Sequence, residues 1–221
     1  MKLSNVVDNA KIYFPNLKVK YKDESWFMKL LGYILFFNKS FMTDYTTTIG
    51  STIYFPSRAK VEAKQLSSII VLLHELVHIY DSQKLTRLLF SFLYLLPQIL
   101  APISLLLWLI SWKIALISFV LLLLPIPSYF RMYFEKRAYA VSLYVLKSLG
   151  KKCNFPPMLS TNRDYFIKQF KNSAYYYMWI FKDIDSYFND VTNKILNDER
   201  PYDDEIFNIL DKLIEQIETT D

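Results

Sequence analysis

Val71–Asp81 reads VLLHELVHIYD, and its centre, His74-Glu75-Leu76-Val77-His78, decides how the rest of the chain is read. A spacing of four residues puts the two imidazoles on one helical face at successive turns, with a carboxylate between them in sequence. The chain has two histidines in all, and both stand here. Around them Leu66, Ile69, Ile70, Leu73 and Val77 make one apolar stripe, so a helix starting near Gln65–Ser68 packs on that side. His74, His78 and Asp81 share another face.

These residue types suit Zn²⁺, which at a catalytic site takes three protein ligands and keeps a fourth position for water. Zinc lowers the pKa of that water, and an adjacent carboxylate can take its proton and pass it to a leaving amine. Glu75 is the expected base. Cys153 is the sole cysteine, so with no further His the third ligand is an Asp or Glu. Asp81, one turn beyond His78, would have to reach back along the axis, and it is better placed to orient a ligand by hydrogen bonding. Glu135, in the second helical stretch RMYFEKRAYAVSLYVLKSLG that runs to a stop at Gly150, is the better candidate.

Three glycines and the absence of a Ser/Gly-rich tract leave little room for a linker, and 221 residues (1–221) are expected to form a single, mainly α domain. From Asp198 to Asp221 nine acids face two bases, a local charge of −7. Within a total of +5 the first 197 residues therefore stand at +12. A basic body beside long apolar segments points to an anionic lipid bilayer as a partner. Nucleic acid is not expected, because no nucleic-acid module, phosphate-binding Gly-rich loop or internal repeat is present. Lys2, Asp8 and Lys11 interrupt any signal-peptide-like apolar run at the N-terminus.

Residues 1–24 read as a polar, weakly amphipathic lead with Lys18, Lys20 and Lys22 in alternation and no assigned chemistry. Trp26–Phe37 is apolar apart from Lys29, too short to span a membrane, and fits a core helix or an interfacial one. Asp44–Pro56 (DYTTTIGSTIYFP) favours extended structure, either a kinked strand or a short hairpin about Gly50 and Ser51, over about 45–56. An exposed strand edge beside a metal helix can bind a peptide as an added strand, although a strand that merely covers the helix fits as well.

Leu88–Phe130 contains Lys113 as its single charged residue. Leu88–Ser111 is long enough to cross a bilayer and Ile114–Phe130 is at the lower limit, which predicts an inserted hydrophobic helical hairpin over about 88–130, turning at Trp112-Lys113. Pro97, Pro102, Pro125 and Pro127 kink it and allow a re-entrant form. A hairpin returns the chain to the side it left, where the HELVH helix and Glu135 can share one ion. Lys84, Arg87, Arg131, Lys136 and Arg137 flank it, which places the catalytic part on the cytoplasmic face.

HELVH, a hydrophobic hairpin, then Glu135-Lys-Arg-Ala138 resembles the membrane-bound gluzincins of the HtpX heat-shock protease and CAAX prenyl protease type, over roughly residues 45–149. A weaker resemblance is to uncharacterised metallopeptidases of bacteria and bacteriophages. The resemblance implies a zincin-like core, one zinc ion held by His74, His78 and Glu135, Glu75 as catalytic base, and a protein or peptide substrate cut near a membrane. Those families usually carry Asp after the alanine; here Tyr139 stands there, with Asp81 the candidate to compensate. Their additional transmembrane helices have no counterpart in this chain.

An oxyanion donor besides the metal must be Tyr or Arg. Tyr175, Tyr176 and Tyr177 are candidates, though such a cluster also has the composition of an interfacial belt, and Arg131 and Arg137 are others. Residues 183–221 read as two amphipathic helices, the second with Ile206, Leu210, Leu213, Ile214 and Ile217 in a stripe. A zinc endopeptidase anchored by its hairpin is the leading expectation. The alternative from another class is a structural or membrane-interacting protein, such as a bacteriophage virion component, that keeps the metal fold without proteolysis.

Overall fold

The computed structural model describes residues 2–36, 38, 40–124, 126–172 and 178–217. The polar lead is ordered: helix α1 (Leu3–Ala10) buries Leu3, Val6, Val7 and Ala10, the spacing of an amphipathic helix, and strand β1 (Lys18–Tyr21) follows. Helix α2 (Trp26–Ile34) and the single turn α3 (Ser40–Thr43) lead to β2 (Thr47–Ile49) and β3 (Thr52–Phe55). Gly50 and Ser51 join β2 to β3 as a hairpin, Gly50 at φ 61°, where a side chain would be strained. The sheet order is β1-β3-β2, with β1 parallel and β2 antiparallel to β3. Thus β2 forms one edge.

After α4 (Arg58–Ala63) comes α5 (Gln65–Leu85), which carries the HELVH residues. Every residue from Leu72 to Ser82 is buried, so the helix is enclosed on all sides and not only along its apolar stripe. Helices α6 (Arg87–Leu95) and α7 (Leu100–Ser104), a 3₁₀ turn over Leu105–Leu109, and α8 (Trp112–Leu123) make up the apolar stretch. Then follow α9 (Tyr129–Cys153), α10 (Leu159–Lys171), α11 (Asp183–Leu196) and α12 (Ile206–Glu215). The protein is mainly helical with one small sheet, and two amphipathic helices do follow residue 182.

Helix α9 separates two cores. Ala138, Val141, Val145 and Leu149 join α1, β3, α5 and α12 in the first. Met132, Tyr139, Ala140 and Leu143 join α10 and α11 in the second. Gly150 does not stop α9, which runs on to Cys153 and ends at Asn154 in the left-handed conformation. The glycine allows a close approach, since a Cβ there would sit 3.0 Å from the Phe155 carbonyl oxygen and 3.2 Å from the Pro157 Cβ.

The apolar stretch returns to its start, since α6 and α9 are in contact, but neither limb is one continuous helix. The first breaks between Leu95 and Leu100 and bends by 79°, where Pro97 removes an N–H and its ring crowds the preceding turn. Among the described residues no single helix is long and apolar enough to cross a membrane; the bent pair passes by length and composition only when taken together.

The lysine alternation ends unexpectedly. Lys18 and Lys20 are exposed, whereas Lys22 is fully buried, donating from Nζ to the Phe41 carbonyl oxygen at 2.6 Å and lying 4.0 Å from the centre of the Phe41 ring. Its N–H continues the sheet ladder to the Phe55 carbonyl at 2.8 Å, so one residue ties the sheet to α3. Burial pushes the ammonium down to about 8 from 10.5, with the Glu75 carboxylate pulling the other way. Between those values the unfolded chain binds more protons than the folded one, so stability rises with pH across the window. Denaturant titrations from pH 8 to 10.5 are expected to show this rise in the native chain and to lose it in Lys22→Met.

Candidate metal centre

Helix α5 presents His74 and His78 one turn apart, and α9 crosses it with Glu135 facing both. His74 Nε2 lies 3.5 Å from Glu135 Oε2, and His78 Nε2 lies 3.6 Å from Glu135 Oε1. All three residues are buried, and one ligand atom from each lies within 4.8 Å of the others. Tetrahedral zinc with bonds near 2.1 Å holds its ligand atoms roughly 3.4 Å apart, so the carboxylate-to-imidazole separations match those around one ion. Glu135 Oε2 and His78 Nδ1 are buried without a hydrogen-bond partner among the described residues. An unsatisfied carboxylate oxygen aimed at an imidazole lone pair is costly unless a cation meets it, so the donor set fits such a metal.

Electrostatics agree. Burial alone would depress the His74 imidazole, but the Glu135 carboxylate beside it outweighs burial and the pKa is raised. Burial alone would raise Glu135, but the two imidazoles and the Tyr94 hydroxyl outweigh it and hold the carboxyl well below its usual range. The two shifts are one interaction felt by both partners: the site keeps a carboxylate ionised in the interior and draws positive charge to it.

The surrounding shell differs from expectation. His74 Nδ1 lies 3.1 Å from Ser142 Oγ, and the Ser142 hydroxyl donates to the Ala138 carbonyl at 3.2 Å. With its proton committed, Ser142 is placed to accept from Nδ1–H, the arrangement that would free Nε2 for a metal. Tyr139 packs edge-on against the His74 ring, centroids 4.7 Å apart. Ser142 and Tyr139 thus contact the His74 ring, where the sequence offered Asp81 as the residue to orient a ligand. Asp81 makes no hydrogen bond to either histidine in the described structure. It takes the Arg137 guanidinium at 3.1 and 3.3 Å, and Arg137 also donates to Asp204 at 3.0 Å. Asp81 thus ties α5 to α9 and to the segment before α12.

Two further residues that the sequence did not single out reach the site. Tyr94, on α6, donates its hydroxyl to Glu135 Oε1 and packs its ring 5.9 Å from that of His78. Thr48, on β2, donates to Glu75 Oε2 at 2.7 Å and holds that carboxylate against the strand edge. A cavity of about 660 Å³ opens over His74, Glu75, His78 and Glu135, with Thr46–Gly50 along one wall and α6 along another. Arg131 lines it, its guanidinium 5.4 Å from the centre of the Tyr94 ring. Arg137 does not line it. Tyr175, Tyr176 and Tyr177 lie outside the described residues.

Comparison of the chain with protein-family models, with curated proteins and with solved structures gave no match in any of the three. The reading of the site therefore stands on its geometry and chemistry.

Losing a hydrogen-bond partner of a metal ligand typically costs about 10–100-fold in affinity. Ser142→Ala and Tyr94→Phe are each expected to weaken zinc binding by that order, measured by competition with a chromophoric chelator. Arg137→Met leaves Asp81 and Asp204 without their shared cation. It is expected to lower unfolding free energy by about 3 kcal/mol while zinc affinity holds, as read by denaturant titration of the metal-loaded protein.

Proposed function

We propose that this chain is a zinc-dependent endopeptidase with a zincin-like core, acting on protein or peptide substrates at the cytoplasmic face of a membrane. The observation that carries the reading is the split donor set: two imidazoles and a carboxylate from facing helices, one ligand atom of each within 4.8 Å of the others, with Glu75 beside them in an open cavity.

His74, His78 and Glu135 would hold the metal. When bound, zinc polarises the scissile carbonyl and lowers the pKa of an attacking water. Glu75 would take the proton of the attacking water and pass it to the departing amine, with Thr48 holding one of its carboxylate oxygens in place. The free edge of β2 borders the cavity and offers backbone hydrogen bonds to an extended peptide, aligning a scissile bond above α5. Arg131, on the cavity wall, is the cation best placed among the sequence candidates to meet charge developing on the carbonyl oxygen.

Support for the membrane comes from the apolar unit. Helix α7, the 3₁₀ turn and α8 pack chiefly on one another, burying Ala101 and Ala115 between them and leaving Leu106, Leu109, Ile117 and Val120 at least half exposed. An apolar surface of that extent needs a partner, and a bilayer supplies one for a re-entrant hairpin.

The test is Glu75→Gln in the full chain reconstituted in vesicles and offered a quenched fluorescent peptide library. Cleavage is expected to fall about 10²–10⁴-fold, with one zinc retained per chain. Equal cleavage by the variant sinks the mechanism. Zinc binding without cleavage by the native chain favours the structural alternative.

A further inference from the structure

Helix α2 is thinly packed: its main helical neighbour is the single turn α3, whose Met42 and Phe41 lie against Gly32. Met28 is its one buried residue, while Trp26 is 75% exposed and Tyr33 81% exposed, with Phe27, Leu30 and Ile34 beside them. On a helical wheel these five residues form one continuous stripe about a third of the circumference wide, with Lys29 at its edge. The next face holds Leu31, which lines the cavity together with Leu35 just beyond the helix. Across the same cavity stand Phe90, Tyr94 and Leu95 of α6, where the apolar unit begins. The two most apolar exposed surfaces of the protein thus flank one opening.

The charge pattern identifies what covers them. Trp26–Thr43 and Arg87–Phe130 carry Lys29, Lys39, Arg87 and Lys113 between them and not one Asp or Glu. Acids stand only just outside these ranges, at Asp23, Glu24 and Asp44. Apolar stripes that carry cations and no anion of their own, with Trp and Tyr prominent, match an anionic bilayer surface, where aromatic rings settle at headgroup depth and lysine stems reach outward. Nine residues are too few to span the hydrocarbon, so the helix must lie in the plane of the interface.

We propose that α2 is a second membrane-binding element, resting in the headgroup region of an anionic bilayer on the far side of the cavity from α6. The proposal rests on the bilayer reading of the apolar unit and extends it: the cavity mouth is held against the lipid surface from both sides. Substrate then enters as a segment emerging from the membrane rather than from bulk water.

Tryptophan fluorescence separates the two parts. The chain has four tryptophans, Trp26, Trp108, Trp112 and Trp179. One variant keeps Trp26 alone and another keeps Trp112 alone, the remaining tryptophans becoming Phe. Each is reconstituted in phosphatidylcholine–phosphatidylglycerol vesicles with plain or brominated acyl chains. In brominated vesicles the emission of Trp26 is expected to fall by roughly half, as for a ring about 5–10 Å into the interface. Quenching of Trp112 by bromine with Trp26 unquenched and open to aqueous iodide overturns the proposal and leaves the bilayer reading standing. Quenching of neither overturns both. Shielding of Trp26 from iodide without bromine quenching, increasing with protein concentration, assigns the stripe to a second copy and likewise overturns it. Hydrogen exchange of the unaltered chain gives the same answer without substitutions: amides of residues 26–34 must exchange more slowly when vesicles are added, and unchanged rates count against the proposal.

Discussion

The crossing of α5 and α9 is the constraint on which the rest of the structure depends. It must hold three potential metal ligands within a few tenths of an ångström of one arrangement in a buried place where any unpaired charge is costly. Two kinds of interaction fix it. Leu73 and Val77 share a core with Ala138 and Val141, and the small side chain of Ala138 allows the helices to lie close. Polar ties join the same helices directly, His74 to Ser142 and Asp81 to Arg137. The apolar contact sets the distance and the polar ties set the rotation and register. The other elements serve this pair: α1, α12 and the sheet enclose α5, while α10 and α11 back α9 from the opposite side.

How much of this could be read from the sequence follows from how local each feature is. The HELVH helix was legible because two histidines four apart need only helical geometry to share a face. Glu135 was legible because the apolar stretch between the two helices returns the chain to its start, and Glu135 with Ala138 completes the pattern on which the resemblance rests. Ser142, Thr48 and Tyr94 were not: Ser, Thr and Tyr are common residues whose function here depends on contacts across 27 to 68 positions of sequence. Ser142 did carry a faint signal, since it lies seven residues after Glu135 and hence on nearly the same face of α9. Asp81 was assigned to a histidine on the strength of its spacing, but the guanidinium from the facing helix is a stronger partner for a buried carboxylate.

Backbone features divided in the same way. Gly50 marked the interruption between the extended runs but left a kinked strand and a hairpin equally open; the antiparallel pairing of β2 with β3 decides for the hairpin. The parallel pairing of β1 with β3 went unseen: four residues of alternating lysine pair with a strand more than thirty positions later, and their alternation says nothing of a partner. Lys22 continues the alternation and yet is buried, since the sheet ends there and α3 closes over it. Pro97 was recognised as a kink, but the severity of the bend depends on α6 being anchored to the body while α7 and α8 pack on each other.

Tyr94 gives the apolar unit a reach beyond anchoring. It belongs to α6, the first helix of that unit, yet its hydroxyl rests on the carboxylate that completes the metal-binding group. Any surroundings that let α6 drift from α9 therefore disturb the Glu135 carboxylate. On the proposed zinc and bilayer reading, metal content would become a measure of how faithfully a solubilising medium imitates lipid. A preparation that came out of detergent short of zinc would then be reporting on the packing of α6, and restoring lipid would be the first remedy to try before adding more metal.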